Sequence, residues 1–181
     1  AVALLERAFK LDIRDARILM ELDQLYKRLN RPHADRLNLL DKLKEVAFSR
    51  DDLYLEYVTL LNQLGRYEEA IHMIDARRFH PWEGGEGKVP AQYQLARVEL
   101  VKACLKAGEN EKALDLIEEC FIYPHNLGEG KLYGAQENDF NYYKACALQA
   151  LGREAEAREL FLAASTGNSQ PAAAMYYNDQ K

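Results

Sequence analysis

The sequence has few of the features that mark several common protein classes. It contains one Trp, three Cys and five Pro in 181 residues, and its 24 Lys and Arg are outnumbered by 29 Asp and Glu. No apolar run approaches the roughly 20 residues that cross a bilayer. A nucleic-acid-binding face needs an excess of basic residues, whereas this chain has a net charge of −5. We therefore expect neither a membrane nor a nucleic-acid partner.

Residues that could hold a metal are scattered along the chain. Cys104, Cys120 and Cys146 are odd in number and lack the Cys-x-x-Cys spacing. The four His residues are too far apart for a ligand pair on one helix: His33, His72, His80 and His125. No secretory signal opens the given sequence. We expect three buried free thiols in a reducing, cytoplasmic compartment, with no metal site and no cofactor.

Catalytic constellations are also poorly represented. Neighbouring carboxylates such as Glu68 and Glu69 fall at predicted helix starts or faces, where solvated charge is the usual outcome. The Ser residues, Ser49, Ser165 and Ser169, fall at helix ends or in the C-terminal tail. These Ser positions therefore do not favour a Ser-His-Asp catalytic triad. We expect no enzymatic activity in this segment.

The strongest positive feature is an octet that recurs along the chain. Leu64–Ile71 is followed by related octets at Ala107–Leu114 and Leu151–Arg158, spaced by 43 and 44 residues, with a more distant copy at Leu29–Arg36. Each octet places Gly, or Asn30 in the distant copy, directly after a run with helical apolar spacing. Gly and Asn close helices in the left-handed conformation. The octet therefore predicts the turn of a repeated helical hairpin.

These residues resemble the tetratricopeptide repeat family. That family carries Leu-Gly-x-Tyr-x-x-Ala at the turn, as Leu64 to Ala70 do, with a large apolar residue four positions after the Ala. The Ala recurs at 113 and 157, but Asp35 replaces it in the first copy, whose hairpin we expect to pack more loosely. The resemblance covers about residues 1–165. It implies an all-α fold of antiparallel helix hairpins stacked in a right-handed superhelix, with a concave groove that binds peptides.

Apolar spacing predicts about nine helices in a single domain over residues 1–165. A half repeat at residues 2–11 precedes hairpins at about 16–48, 50–78, 90–122 and 137–165, and residues 166–181 form a truncated loop or tail. Because the chain begins within a repeat and without Met, we expect it to be one segment of a longer protein. The exposed repeat ends would then favour homodimer contacts.

Two long Gly- and Pro-rich loops interrupt the helices, at Phe79–Pro90 and Tyr123–Gly134. Both contain Gly-Glu-Gly-Lys at a 43-residue offset, so they belong to the repeat unit. A phosphate-binding loop would need Ser or Thr after the Lys, where Val89 and Leu132 stand. Two alternatives remain. The loops are connectors packed by their own aromatic residues, Phe79, Trp82, Tyr123 and Tyr133, or they border a ligand site in which Trp82, with His80, Glu83 and Glu86, stacks on a sugar ring. The candidate ligand-contacting residues are His80, Trp82, Glu86, Lys88, Glu129, Lys131 and Tyr133.

The paired loops carry a second resemblance. His-Pro-Trp-Glu-Gly-Gly-Glu-Gly-Lys at residues 80–88 and Asn-Leu-Gly-Glu-Gly-Lys at 126–131 resemble the helical C-terminal region of large bacterial proteins. Those proteins carry a β-rich domain of unknown function and are often associated with carbohydrate utilisation. The resemblance spans about residues 60–181. It implies that this chain is one segment of a multidomain cytoplasmic protein.

Both resemblances lead to the same first hypothesis for function. We expect a non-catalytic scaffold that presents a groove to a partner protein or peptide, or to a β-rich domain of the same polypeptide. The positions carried over from the tetratricopeptide groove are Thr59, Asn62, Gln63, Lys102, Lys106, Tyr142 and Gln149. The alternative is an auxiliary segment of a carbohydrate-active protein, whose Gly-Glu-Gly-Lys loops border a sugar site.

Overall fold

The computed structural model describes residues 2–132 and 134–166. Within these ranges the chain is all-α, with ten helices and no strand, which confirms the predicted class. The chain divides into two compact units, Ala1–Met73 and Ile74–Lys181. The single domain predicted over residues 1–165 stays a prediction. The helices are α1 (Val2–Leu11), α2 (Ala16–Arg28), α3 (His33–Lys42), α4 (Lys44–Ala47), α5 (Asp51–Gln63), α6 (Tyr67–Asp75), α7 (Lys88–Ala107), α8 (Asn110–Glu119), α9 (Asn138–Ala150) and α10 (Glu154–Thr166).

Four helices end in the same hydrogen-bonded turn. At Gly65, where φ is +75°, the amide donates to the Asn62 carbonyl and the following amide donates to the Leu61 carbonyl. These two bonds define the Schellman motif, which satisfies carbonyls that a helix end leaves unpaired. The predicted left-handed turns are thereby confirmed. The same turn closes α2 at Asn30 (φ 53°), α7 at Gly108 (φ 78°) and α9 at Gly152 (φ 78°).

The small residues that follow the turns lie where helices pack. Ala113 on α8 is fully buried with Ile117, in a cluster that includes Val101 of α7. Ala157 on α10 packs with Leu148 of α9. A methyl side chain at these points permits close contact between the paired helices, as the octet predicts.

The first copy departs from this pattern. Its second helix, predicted to continue to about Phe48, is divided into α3 and α4, so the described part of the chain has ten helices where about nine were expected. The backbone leaves the helical region at Leu43 (φ −118°, ψ 29°). Phe48, just after α4, packs its ring 4.8 Å from that of Tyr54 and 5.2 Å from that of Tyr57. Phe48 thus joins an aromatic cluster with two residues of α5.

A buried ionic cluster joins α2, α3 and α5 in the first unit. Arg36, only 2% exposed, donates to both carboxylate oxygens of Asp23, at 3.0 and 2.6 Å, and to Glu56 at 2.5 Å. Lys27 lies 3.4 Å from the same Glu56 carboxylate. Asp35, the predicted point of looser packing, is exposed, and its neighbour Arg36 points into the core.

In the second unit α7 packs on α8 and α9, and α9 packs on α10. A buried Arg97 on α7 lies 3.7 Å from the centre of the Tyr93 ring and donates to Glu119 of α8 at 2.7 Å. Helix α7 begins at Lys88, two residues before the predicted start. Pro90 therefore lies in the first turn, where backbone N–H groups have no acceptor within the helix and the absence of one costs no hydrogen bond. No helix in the described ranges has both the length and the apolar character needed to cross a membrane.

The three thiols are free. Cys104 and Cys120 are buried, as predicted, but Cys146 is half-buried. Cys146 lies on α9, whose exposed side also carries Tyr142.

Candidate functional site

Two loops flank α7 and α8 in the second unit, and they lie against each other. The first loop (residues 76–87) follows α6, and the second loop (residues 120–137) follows α8. The Phe79 amide donates to the Asn126 carbonyl at 2.7 Å. The Asn126 side chain donates to the carbonyls of Ile74 and Arg77, at 3.0 and 3.2 Å. The second loop therefore satisfies carbonyls at and just beyond the end of α6.

Gly128 allows the two loops to approach this closely. Its φ of +77° is unfavourable for other residues, and a Cβ at this position would lie 2.6 Å from the Phe79 carbonyl oxygen. Leu127, beside it, is buried. The second loop thus lies directly on the backbone of the first.

The second loop also reaches the beginning of α7. The Gly87 amide donates to the Glu129 carboxylate at 2.7 Å, and Gly87 is the left-handed residue that precedes the helix. Glu129 therefore satisfies a backbone donor beside a helix N-terminus, where negative charge is favoured. Burial raises the pKa of the Glu129 carboxyl, the Gly87 hydrogen bond opposes that rise, and the charge of Glu86 adds to it.

A cavity of about 290 Å³ lies between the two loops. Four of the seven predicted ligand-contacting residues line it: His80, Trp82, Glu86 and Glu129. The Trp82 indole lies directly on Gly85, because a Cβ at Gly85 would come within 2.3 Å of the ring. The full lining consists of His80, Pro81, Trp82, Glu83, Gly85, Glu86, Val89, Leu127, Gly128 and Glu129.

The other three candidates lie elsewhere. Lys131 pairs with Glu137 at 2.5 Å, and Lys88 is the first residue of α7 and does not belong to the lining. Tyr133 lies outside the described residues. Of the loop aromatics proposed as packing residues, Phe79 is buried, whereas Trp82 is only half-buried. The loops thus combine a packed connector with an open, aromatic-walled cavity.

Glu83, which the sequence placed beside Trp82 in the possible sugar-stacking patch, adds a third carboxylate to the lining. Sequence reasoning missed one residue of this site. Asn126 bonds across about 50 residues to the end of α6, and no local pattern indicates such a contact. The described ranges contain no group of three or more His, Cys, Asp or Glu placed to hold a metal ion.

The groove positions predicted in the first unit are mostly engaged locally. Thr59 donates from Oγ1 to the Leu55 carbonyl of its own helix at 2.8 Å, and Asn62 is buried. Gln63 is exposed and lines a depression of about 280 Å³ beside Pro32 and the start of α3. Contact of these three residues with a partner stays a prediction.

The groove positions predicted in the second unit are exposed on the neighbouring helices α7 and α9. We call Lys102, Lys106, Tyr142 and Gln149 the α7/α9 surface. Lys102 pairs with Glu99 at 2.5 Å and lies 5.5 Å from the centre of the Tyr143 ring.

Tyr142 is 49% exposed, with its ring centre 5.7 Å from that of Phe161. Gln149 and Phe161 line a depression of about 530 Å³ along α9 and α10. The α7/α9 surface therefore adjoins a recess that is lined by both apolar and polar side chains.

No family model and no solved structure matches the chain. Its helical architecture is compatible with a helical-repeat fold.

Proposed function

We propose that this chain is a non-catalytic scaffold of the tetratricopeptide type that binds a partner protein or peptide through the α7/α9 surface. In this proposal the helix pairs stack in a right-handed superhelix. The main observation in support of this proposal is that the same Schellman turn recurs at Asn30, Gly65, Gly108 and Gly152. Stacked helix pairs present extended surfaces suited to chain-like partners.

The chemistry of the α7/α9 surface supports this proposal. Tyr142 is half-exposed, and its ring is held by edge contacts with Tyr143 at 5.3 Å and Phe161 at 5.7 Å. A ring that is already positioned loses little freedom on binding, which is one reason that Tyr is enriched among residues that dominate binding energy. Lys106 is exposed one turn along α7 from Lys102 and adds a charge that can select a partner.

The partner in this proposal is a separate cytoplasmic protein or a β-rich domain of the same polypeptide. Homodimer formation through exposed repeat ends is a further expectation. Leu162 on α10, which is 64% exposed, is one apolar residue available for such a contact.

Position-specific photo-crosslinking tests the scaffold proposal. A photoreactive amino acid replaces Lys106 or Gln149, and a third variant carries it at Glu111, an exposed position on α8. We expect one discrete crosslinked protein at Lys106 and Gln149 and not at Glu111. The protein is then identified by mass spectrometry and purified. The absence of any crosslinked protein, or equal yields of it at all three positions, would contradict the proposal.

A sugar site at the loops is the second candidate function. Its support is the half-buried Trp82 ring beside carboxylates in the cavity, since aromatic faces stack on sugar rings. Titration of the chain with neutral oligosaccharides, followed by Trp fluorescence, tests it. A saturable response would favour the carbohydrate-associated function over the scaffold.

A further inference from the structure

We infer that the cavity between the first and second loops binds the guanidinium group of an Arg side chain supplied by a partner polypeptide. This inference rests on the proposed scaffold function, because it names a chemical group that the partner contributes. The cavity is separate from the α7/α9 surface, so it would receive a different segment of the same partner.

The charge of the lining is the first argument. Glu83, Glu86 and Glu129 bring three carboxylates to a cavity of about 290 Å³. The one basic side chain among the lining residues of the described ranges is the His80 imidazole, and the lining includes no Lys or Arg. Lys131, two residues from Glu129, is paired with Glu137 at 2.5 Å. The cavity is therefore anionic, and a cation complements it.

The shared position of Glu86 and Glu129 in the lining favours a cation over a neutral sugar. The two residues occupy equivalent places in the two Gly-Glu-Gly-Lys motifs, and both line the cavity. They are close enough for the charge of Glu86 to contribute to the raised pKa of Glu129. A cation placed between them would relieve this repulsion, whereas a sugar hydroxyl carries no charge to do so.

The shape and aromatic character of the lining favour guanidinium among cations. The Trp82 indole is held against Gly85, which cannot carry a side chain without displacing it. A planar guanidinium stacks on an indole and at the same time donates paired hydrogen bonds to carboxylates. A Lys ammonium is a compact point charge that lacks this planar fork.

The single Trp of the chain makes the test specific, because all Trp fluorescence reports on residue 82. The intact chain is titrated with N-acetyl-Gly-Arg-Gly-amide and with the same peptide carrying citrulline, a neutral analogue of Arg. We expect a saturable emission change with the Arg peptide, weakened by salt, and roughly tenfold weaker binding of the citrulline peptide. Glu86→Gln should weaken Arg-peptide binding by about tenfold with an unchanged melting temperature, and Glu111→Gln should not weaken it.

Four results would overturn the inference. The first is the absence of saturable change with the Arg peptide up to about 10 mM, beyond the millimolar range of weak binding. The second is equal binding of the citrulline peptide. The third is a response to neutral oligosaccharides without one to the Arg peptide. The fourth is stronger binding of free agmatine than of the peptide, which would assign the cavity to a small cationic molecule. Crosslinking at Lys106 and Gln149 is independent of these results, so failure of the two proposals can be told apart.

Discussion

Glu129 and Gly87, 42 residues apart, are joined by a 2.7 Å hydrogen bond that fastens the second loop to the beginning of α7. This bond pairs a backbone donor that the helix itself cannot satisfy. It also fixes one wall of the cavity that holds Trp82. Several properties of the chain follow from this contact and from the turns and ionic cluster described above.

Removal of the Glu129 side chain should destabilise the chain. Glu129→Ala leaves the Gly87 amide without its carboxylate, so we expect a loss of about 1–2 kcal/mol in the free energy of unfolding, measured by urea denaturation at pH 7. Glu86→Ala is the matched control, because Glu86 occupies the equivalent motif position with an exposed side chain. It should be neutral or slightly stabilising. Equal losses in the two variants would contradict the assigned role of Glu129.

Three Gly→Ala variants should differ in a fixed order. Gly130 has no positive φ and open space around it, so Gly130→Ala should change the unfolding free energy little. Gly108→Ala should cost about 1 kcal/mol, because φ is +78° although nothing obstructs a Cβ. Gly128→Ala should cost more, because a positive φ is combined with a contact at 2.6 Å to the Phe79 carbonyl. Chemical denaturation checks the order. A Gly108→Ala variant as stable as Gly130→Ala would contradict the role of Gly108 as the left-handed residue that closes α7.

Arg36→Met should be severely destabilising at neutral pH. It leaves the carboxylates of Asp23 and Glu56 buried without their shared guanidinium, a change that typically costs about 3–5 kcal/mol. The control is Arg66→Met, which removes an exposed pair with Glu69 and should cost less than about 1 kcal/mol. Thermal and urea denaturation at pH 7 measure both losses.

The loss in the free energy of unfolding caused by Arg36→Met should become smaller as the pH falls. Burial already raises the pKa of Asp23 above its ordinary 3.8, and loss of Arg36 removes a neighbour that opposes that rise. A carboxyl with a raised pKa in the folded state takes up a proton before the unfolded chain does, so folding is relatively favoured as pH falls towards that ordinary value. Stability curves at pH 7 and pH 5 test this, and a deficit that grows at pH 5 would contradict it.

The Cys residues should differ sharply in reactivity. Burial raises the pKa of the Cys120 thiol to about 12, so at pH 8 only about one molecule in ten thousand carries the thiolate. Cys146 is half-buried and should be alkylated first by iodoacetamide, whereas Cys120 should react only after unfolding. Mass spectrometry of time-resolved alkylation gives the order. Early modification of Cys120 in the folded protein would contradict the packing around it.

Local features of this fold could be predicted from sequence, and contacts across long separations could not. The turns at Gly65, Gly108 and Gly152 were predictable because a left-handed residue after a helical run acts within one turn of chain. Arg36, in contrast, looked like an ordinary charged residue of an exposed helix. Its partners lie 13 and 20 residues away, and only tertiary packing brings them together.

The candidate site was predicted in part for the same reason. The 43-residue offset of the Gly-Glu-Gly-Lys motifs indicated that the loops are equivalent parts of a repeat. It did not indicate that Asn126 and Glu129 of one loop bond to the ends of helices that flank the other. Lys88 and Lys131 were grouped with the ligand-contacting residues by motif, but neither belongs to the cavity lining.

Calorimetric titration of the crosslinked partner against three forms of the chain tests the scaffold account most directly. Tyr142→Ala removes the half-exposed ring of the α7/α9 surface and should weaken binding at least about tenfold, whereas Glu111→Ala on α8 should bind as the unmodified chain does. Equal affinity for all three forms would contradict the claim that this chain acts by binding a partner at the α7/α9 surface.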